Sequence, residues 1–294
     1  MLRVKSCGLS DVGLTRVHNE DYFEIDPLHR LYVVADGMGG HSYGEVAAQI
    51  AVKAIHDFVE KSRDRGDSAW PHKTAAMPVP AAAAAAGAGA LTGSGAGGAA
   101  ATSADERLER HSRLLKSAVR RAHDNVLTAI SKDGSLQGMG TTVVGMLLAG
   151  PTAAVAHVGD SRAYRLRSGR LDQLTQDHTW VHEQVMAGLL SQEQARSHPL
   201  KNVVTRALGG ESDVLVDVRE VQVQPGDLYL LCSDGLTGML SDGEICDRMA
   251  SGRSLHEICR SLVNEANARG GLDNVTVVLL SVEEVEDDED GHIA

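Results

Sequence analysis

The sequence predicts an α+β protein in which two stacked sheets are flanked by helices. Three observations point there. Apolar runs of strand length recur along the chain, helical periods come in pairs between them, and the strict strand–helix alternation of a parallel sheet is missing. The opening reads as β, with a short extended piece at Tyr22–Ile25 closed by an Asp26-Pro27 turn. Leu31-Tyr32-Val33-Val34-Ala35 is a continuous apolar run that stops at Asp36-Gly37, as a strand buried on both faces would. Glu45–Val59 places Val46, Ala47, Ile50, Ala51, Ala54, Ile55 and Phe58 on one helical stripe. A second helix is expected from Asp105 to Ser131, on the spacing of Leu108, Leu115, Ala118, Val119, Ala122, Val126 and Ile130.

The later part of the chain alternates strands and helices less regularly. Strands are expected at Thr141–Leu148, Ala153–Val158, Ala163–Arg167 and Leu171–Leu174. The polar stretch Asp177–Gly210, with helical pieces, reads as an excursion from the core. Strands at Val214–Val223 and Leu228–Cys232 precede helices at Asp242–Ala250 and Leu255–Ala268, and Val275–Val282 is a last strand. One domain spans 1–282, interrupted at about 63–104 by an Ala/Gly/Pro-rich insertion without amphipathic period. Residues 283–294 form an acidic tail.

Composition narrows the function classes. Hydrophobic residues make up 43% and charged residues 23%, ordinary for a globular chain, while aromatics are only 3%, so Val, Leu, Ile and Ala must build the core. A net charge of −12 repels phosphate backbones and argues against nucleic acid as a partner. Gly134–Val158 carries no Asp, Glu, Lys or Arg, yet Gln137, Thr141, Thr142 and a Gly150-Pro151 break make two buried strands a better reading than a bilayer helix. No membrane association is expected. The start Met1-Leu2-Arg3-Val4-Lys5-Ser6 lacks the apolar core of a signal peptide. Cys7, Cys232, Cys246 and Cys259 lie far apart with no Cys-x-x-Cys pair, which predicts reduced thiols and a cytoplasmic location.

The chemistry-bearing signal is a set of aspartates at strand ends or beside glycine. Asp36, Asp160, Asp234 and Asp273 each sit in such a place. A carboxylate at the mouth of an apolar strand is costly to ionise unless a cation compensates. Carboxylate, carbonyl and water oxygens are the ligands of hard cations such as Mg²⁺ and Mn²⁺. Any one Asp-Gly pair is ordinary turn chemistry, but turn demand alone would leave the preceding residues more polar than they are. Arg16-Val17-His18-Asn19-Glu20-Asp21 adds a guanidinium suited to a phosphate and two further carboxylates.

Five segments taken in order resemble the motif set of the protein phosphatase 2C family. They are Arg16-x-x-Asn19-Glu20-Asp21, Val34-Ala35-Asp36-Gly37-Met38-Gly39-Gly40, Val158-Gly159-Asp160-Ser161-Arg162, Cys232-Ser233-Asp234-Gly235-Leu236 and Asp273-Asn274-Val275-Thr276. The match runs from about Gly8 to Val282, broken by the insertion, and is similar to the bacterial branch that opposes serine/threonine kinases. The resemblance implies a four-layer α-β-β-α sandwich of two antiparallel sheets flanked by helices. It implies hydrolysis of phosphoserine and phosphothreonine in proteins, assisted by two Mn²⁺ or Mg²⁺ ions and a looser third. Asp36 would bridge two metals, the Gly37 carbonyl would add a ligand, and Asp234 and Asp273 would complete the second ion. Glu20 and Asp21 would act mostly through water, Asp160 would bind the third metal, and Arg16 would hold the substrate phosphate. Asn202–Gly209 is similar to the end of the flap beside the site. The partners implied are phosphoproteins and a cognate kinase, and the chain is expected to act as a monomer.

One position departs from part of the family. Many eukaryotic members place His directly after the Asp-Gly of the second motif, as general acid. Here Met38 stands there and cannot donate a proton; the nearest imidazole is His41, assigned either to protonating the leaving oxygen or to capping the following helix. Other readings weigh less. Gly159-Asp160-Ser161-Arg162-Ala163 resembles a nucleophile elbow, but Tyr164–Arg167 alternates like a strand where an elbow needs a helix. His178 and His182 lack the Glu of a zinc-protease motif and read as flap surface. A phosphatase-like binding protein without catalysis and a small-molecule phosphoester hydrolase are the rival functions.

Overall fold

The computed structural model describes residues 2–39, 43–64 and 99–284. Two sheets and their covering helices are built in chain order from β1 (Leu2–Asp11), β2 (Asp21–Asp26), β3 (Leu31–Met38), α1 (Tyr43–Asp64) and α2 (Ala99–Lys132). There follow β4 (Gly140–Thr141), β5 (Val143–Ala149), β6 (Thr152–Val158), β7 (Arg162–Arg167), β8 (Arg170–Gln173), α3 (Trp180–Met186) and α4 (Gln192–Arg196). The chain closes with β9 (Asp217–Gln222), β10 (Leu228–Cys232), α5 (Asp234–Thr237), α6 (Asp242–Met249), α7 (Leu255–Ala268) and β11 (Val275–Glu284). One sheet runs β1-β11-β10-β7-β8 and the other β2-β3-β5-β6-β9, with β4 paired to β3. Every strand pair is antiparallel. This is the α-β-β-α sandwich expected.

The apolar run at Leu31–Ala35 shows why the layers form. Leu31, Val33 and Ala35 join α1 and α2 in one core, with Ala51, Ile55, Leu115 and Val119. Tyr32 and Val34 face the opposite way, into the core between the sheets, with Met146, Val155, Tyr229 and Val278. A third core packs α6 and α7 on the other sheet through Leu230, Leu279, Ile245 and Leu262. Side chains alternate across a strand, so a strand between two apolar layers must be apolar at every position. The helices α6 and α7 begin at Ser241 and Ser254, each in a capping box with a Glu three residues on.

Several expected boundaries move. β1 was not anticipated; it pairs with β11 along its whole length, from Leu2 opposite Glu284 to Asp11 opposite Val275. Its burial is only intermediate, because it is an edge strand and lacks an apolar run. Glu283 and Glu284 therefore belong to β11 rather than to a tail. The helices bordering the insertion reach inward to Asp64 and Ala99, further than the apolar stripe that identified them; the rest of the insertion and the remainder of the tail lie outside the described residues. All four cysteines are free thiols. Among the described residues, no helix is long and apolar enough to cross a membrane.

Candidate metal centre

Antiparallel pairing brings the ends of alternate strands to one edge of the sandwich, and the aspartates collect there. Asp21 opens β2 directly opposite Asp36 near the end of β3. Asp160 follows β6, Asp234 follows β10, and Asp273 precedes β11. Cys232, at the end of β10, pairs with both Arg162 of β7 and Val277 of β11, which sets Asp234 beside the other two.

The carboxylates perturb one another as a cluster. Burial pushes the Asp36 carboxyl well above its ordinary value, reinforced by the charges of Asp21, Asp234, Asp160 and Asp273. Burial pushes Asp21 up to about 7, against hydrogen bonds from Thr276 and Ser233 and with Asp234 and Asp273 adding to the rise. Asp160 is likewise pushed to about 7 by burial, then by Asp234 and Asp177. Asp234 is raised by burial and by Asp273, and Glu20 chiefly by burial. Two buried oxygens, Asp21 Oδ1 and Asp234 Oδ1, have no hydrogen-bond donor. Orphaned anionic oxygens inside a crowd of like charges are what a bound cation relieves. The donors are all oxygen, which fits hard divalent ions such as Mn²⁺ and Mg²⁺.

The backbone is held tightly around these groups. The Asp36 carbonyl accepts from Thr142 N–H at 2.8 Å and from Thr141 Oγ1 at 2.9 Å. Ser233 Oγ donates to Asp21 Oδ2 at 2.7 Å. Gly37 N–H donates to the Glu20 carbonyl at 3.1 Å. Neither Gly37 nor Gly235 adopts a positive φ, so turn geometry does not explain them. A Cβ on Gly37 would run into the Gly44 carbonyl of α1, and one on Gly235 into the Asn274 carbonyl. Both glycines are there because two backbone segments cross in contact.

Asn274, legible in the sequence only as part of a motif, ties two distant segments together. Its Nδ2 donates to the carbonyls of Val12 and His18, both at 3.0 Å, and its Oδ1 accepts from Glu20 N–H at 2.8 Å. The loop carrying Arg16 and Glu20 is thereby fastened to the strand that follows Asp273. Arg16, about half exposed, donates from Nη2 to Asp273 Oδ2 at 2.7 Å. Asp273 Oδ1 accepts from Asn274 N–H at 2.9 Å.

One expectation changes beside Asp160 and another holds. His178 is not flap surface: it is 5% exposed, and its Nδ1 accepts from Gly159 N–H at 3.1 Å. Its ring stacks on His157 with centroids 4.7 Å apart, and its Nε2 lies 3.1 Å from Asp217 Oδ2. The imidazole thus braces the turn that presents Asp160. Ser161 is buried against Thr142, Oγ to Oγ1 at 2.7 Å, and leads into strand β7, which rules out a nucleophile elbow. The only sequence signal for these braces was a Thr-Thr pair in an otherwise apolar stretch. Beside Asp160 and Asp234 opens a groove of about 810 Å³, lined also by Arg162, His182, Arg196 and Asn202. His41 lies outside the described residues.

The sequence profile of the protein phosphatase 2C family matches residues 15–275, and the chain belongs to that family. It is 36% identical to the serine/threonine phosphatase Stp of Listeria welshimeri, over 92% of this chain and 93% of the relative. The crystal structure of the Mycobacterium tuberculosis serine/threonine phosphatase PstP/Ppp superposes with a TM-score of 0.75 at 32% identity, covering 96% of this chain and 99% of that one. The catalytic domain of PstP in complex with 2 manganese ions gives 0.72 at 31% identity, covering 97% and 100%.

Proposed function

We propose that this chain hydrolyses phosphoserine and phosphothreonine in proteins with the help of Mn²⁺ or Mg²⁺ held at the carboxylate cluster. The observation that carries the reading is the pair of orphaned oxygens, Asp21 Oδ1 and Asp234 Oδ1, buried among mutually raised aspartates next to Arg16. Asp36, the Gly37 carbonyl, Asp234 and Asp273 would hold two ions, Glu20 and Asp21 would orient water around them, and Asp160 would take a third. When bound, the ions supply the positive charge that acidifies water and offsets charge on the phosphoryl oxygens.

The remaining work falls to the chain's own groups. Arg16 exchanges part of its pairing with Asp273 for the substrate phosphate, to which its planar fork is matched. Asn274 fixes the loop that carries it. The groove of about 810 Å³ beside Asp160 leaves room for residues flanking the phosphorylated side chain, which supports a protein substrate. His41 protonates the departing Ser or Thr oxygen, directly or through water. The natural substrates are phosphoproteins of a cognate serine/threonine kinase, and the setting is cytoplasmic.

Turnover of phosphoserine and phosphothreonine peptides against sugar phosphates tests this. Mn²⁺-dependent release of phosphate from the peptides, abolished by chelator, is expected. Preference for sugar phosphates would sink the protein-substrate reading, and full activity in EDTA would sink the metal reading.

A further inference from the structure

At the opposite end of the β2–β3 hairpin from the aspartate cluster, two imidazoles and a carboxylate converge. His29 Nδ1 lies 2.5 Å from Asp26 Oδ2, and His56 Nε2 approaches the same oxygen at 3.0 Å. The histidine rings are perpendicular, with centroids 6.1 Å apart. All three potential ligand atoms lie within 4.8 Å of one another, the compass of one ion with bonds of roughly 2.0–2.2 Å. Asp26 closes β2, His29 lies in the β2–β3 turn and His56 comes from α1. Five residue steps of strand carry the chain from Asp21 to Asp26, about 17 Å, so this cluster is separate from the carboxylates around Asp36.

We propose that Asp26, His29 and His56 form a second metal site, selective for Zn²⁺, that staples α1 to the β2–β3 hairpin. The chemistry of the donors argues for it. Imidazole nitrogen suits zinc and leaves Mg²⁺ and Mn²⁺ poorly served, the reverse of the all-oxygen cluster at the other end.

The surroundings have the form that metal ligands require. Asp26 Oδ1 accepts from the His29 N–H at 3.0 Å, which orients the carboxylate and leaves Oδ2 for the ion. The far nitrogen of His56, Nδ1, lies 3.8 Å from Asp57 Oδ1, beyond hydrogen-bond reach but near enough for the carboxylate's charge to be felt at the ring. On binding, the ion takes the nitrogen lone pairs of His29 Nδ1 and His56 Nε2, and any proton held there leaves to solvent. Three protein ligands leave the fourth tetrahedral position to water. The three side chains are 10–29% exposed, so the site is partly desolvated yet open to an entering ion.

The consequence is mechanical. α1 carries Gly44, whose backbone packs on Gly37 next to Asp36. A clamp further along α1 holds that helix in register on the hairpin whose strands supply Asp21 and Asp36.

Cobalt is the probe, because tetrahedral Co²⁺ with nitrogen ligands absorbs visible light and Mg²⁺ can be kept in excess to occupy the oxygen cluster. Full-length protein in excess Mg²⁺ should take up one equivalent of Co²⁺ with a tetrahedral band, and Zn²⁺ should erase it. The band should persist in the Asp36→Asn/Asp234→Asn double variant. It should vanish in His29→Ala and in His56→Ala, both of which should keep native circular dichroism and phosphatase activity in Mg²⁺. If either histidine variant misfolds, His56→Gln takes its place. A protein with no such band, a band unchanged by the histidine variants, or one lost with the double variant would each overturn the proposal.

Discussion

Removing the Asn274 side chain should damage stability and catalysis together, through a loop on the far side of the sequence. The amide makes three hydrogen bonds to the backbone of residues 12–20, at 2.8, 3.0 and 3.0 Å, and the residue is 5% exposed. Each bond contributes about 1 kcal/mol net, and Asn274→Ala also strands the Glu20 N–H and the Val12 and His18 carbonyls in a part-buried site. The expected loss is about 3 kcal/mol, a shift in melting temperature on the order of 6–12 °C for a chain of this size. Asn274→Asp keeps the shape but turns two donors into an acceptor facing two carbonyls, and should be at least as damaging. Because the freed loop carries Arg16 and Glu20, kcat/KM on a phosphopeptide should fall even where the variant is fully folded. Urea unfolding and phosphate release on the same samples measure both. A variant with a melting point within about 1 °C of wild type and unchanged kcat/KM would refute the assignment of Asn274 as the tie between loop and strand.

Asp36→Asn and Asp234→Asn should each lose most of the rate, roughly 10³-fold or more, while circular dichroism stays native, since each takes a charge out of a repelling cluster. His41→Ala should slow hydrolysis of a phosphoserine peptide far more than that of p-nitrophenyl phosphate, whose leaving group departs unprotonated; an equal loss on both would remove His41 from the acid role. Shortening the connection between Asp64 and Ala99 to about a third of its length should leave the rate unchanged and add about 1 kcal/mol from loop closure, and unfolding on deletion would contradict the single-domain reading. Burial acts to raise Asp227, but hydrogen bonds from Arg167, the Gln224 N–H and Tyr229 outweigh it and hold the carboxyl below its ordinary value near 3.8. The stability this supplies is present above that value and disappears as pH falls through the depressed folded value. Asp227→Asn should therefore be destabilised at neutral pH, and the gap in urea midpoints should narrow as pH falls below the ordinary carboxylate value; a gap independent of pH would show that the charge contributes nothing.

What the sequence determined by itself was whatever depends on local pattern. Leu31–Ala35, Leu228–Cys232 and Leu255–Ala268 were legible because burial on two faces, or on one helical stripe, writes an apolar period into consecutive residues. The clustered aspartates were legible because each ends or adjoins an apolar run, where an unpaired carboxylate has no structural excuse. The pairing of strands was decided only in three dimensions. β1 is an edge strand with half-buried residues, and its partner β11 lies at the other end of the chain, so nothing local announces it. The same holds for the groups that aim the site. Asn274 reaches residues more than 250 positions away, His178 props the turn before Asp160, and Gly37 is small because Gly44 arrives against it. His29 and His56 belong to different elements and meet at Asp26 only once α1 has packed on the hairpin. Hydrogen-bond partners and close backbone approaches are fixed by which surfaces face each other, and that is set by the packing of the layers rather than by any residue's neighbours in sequence.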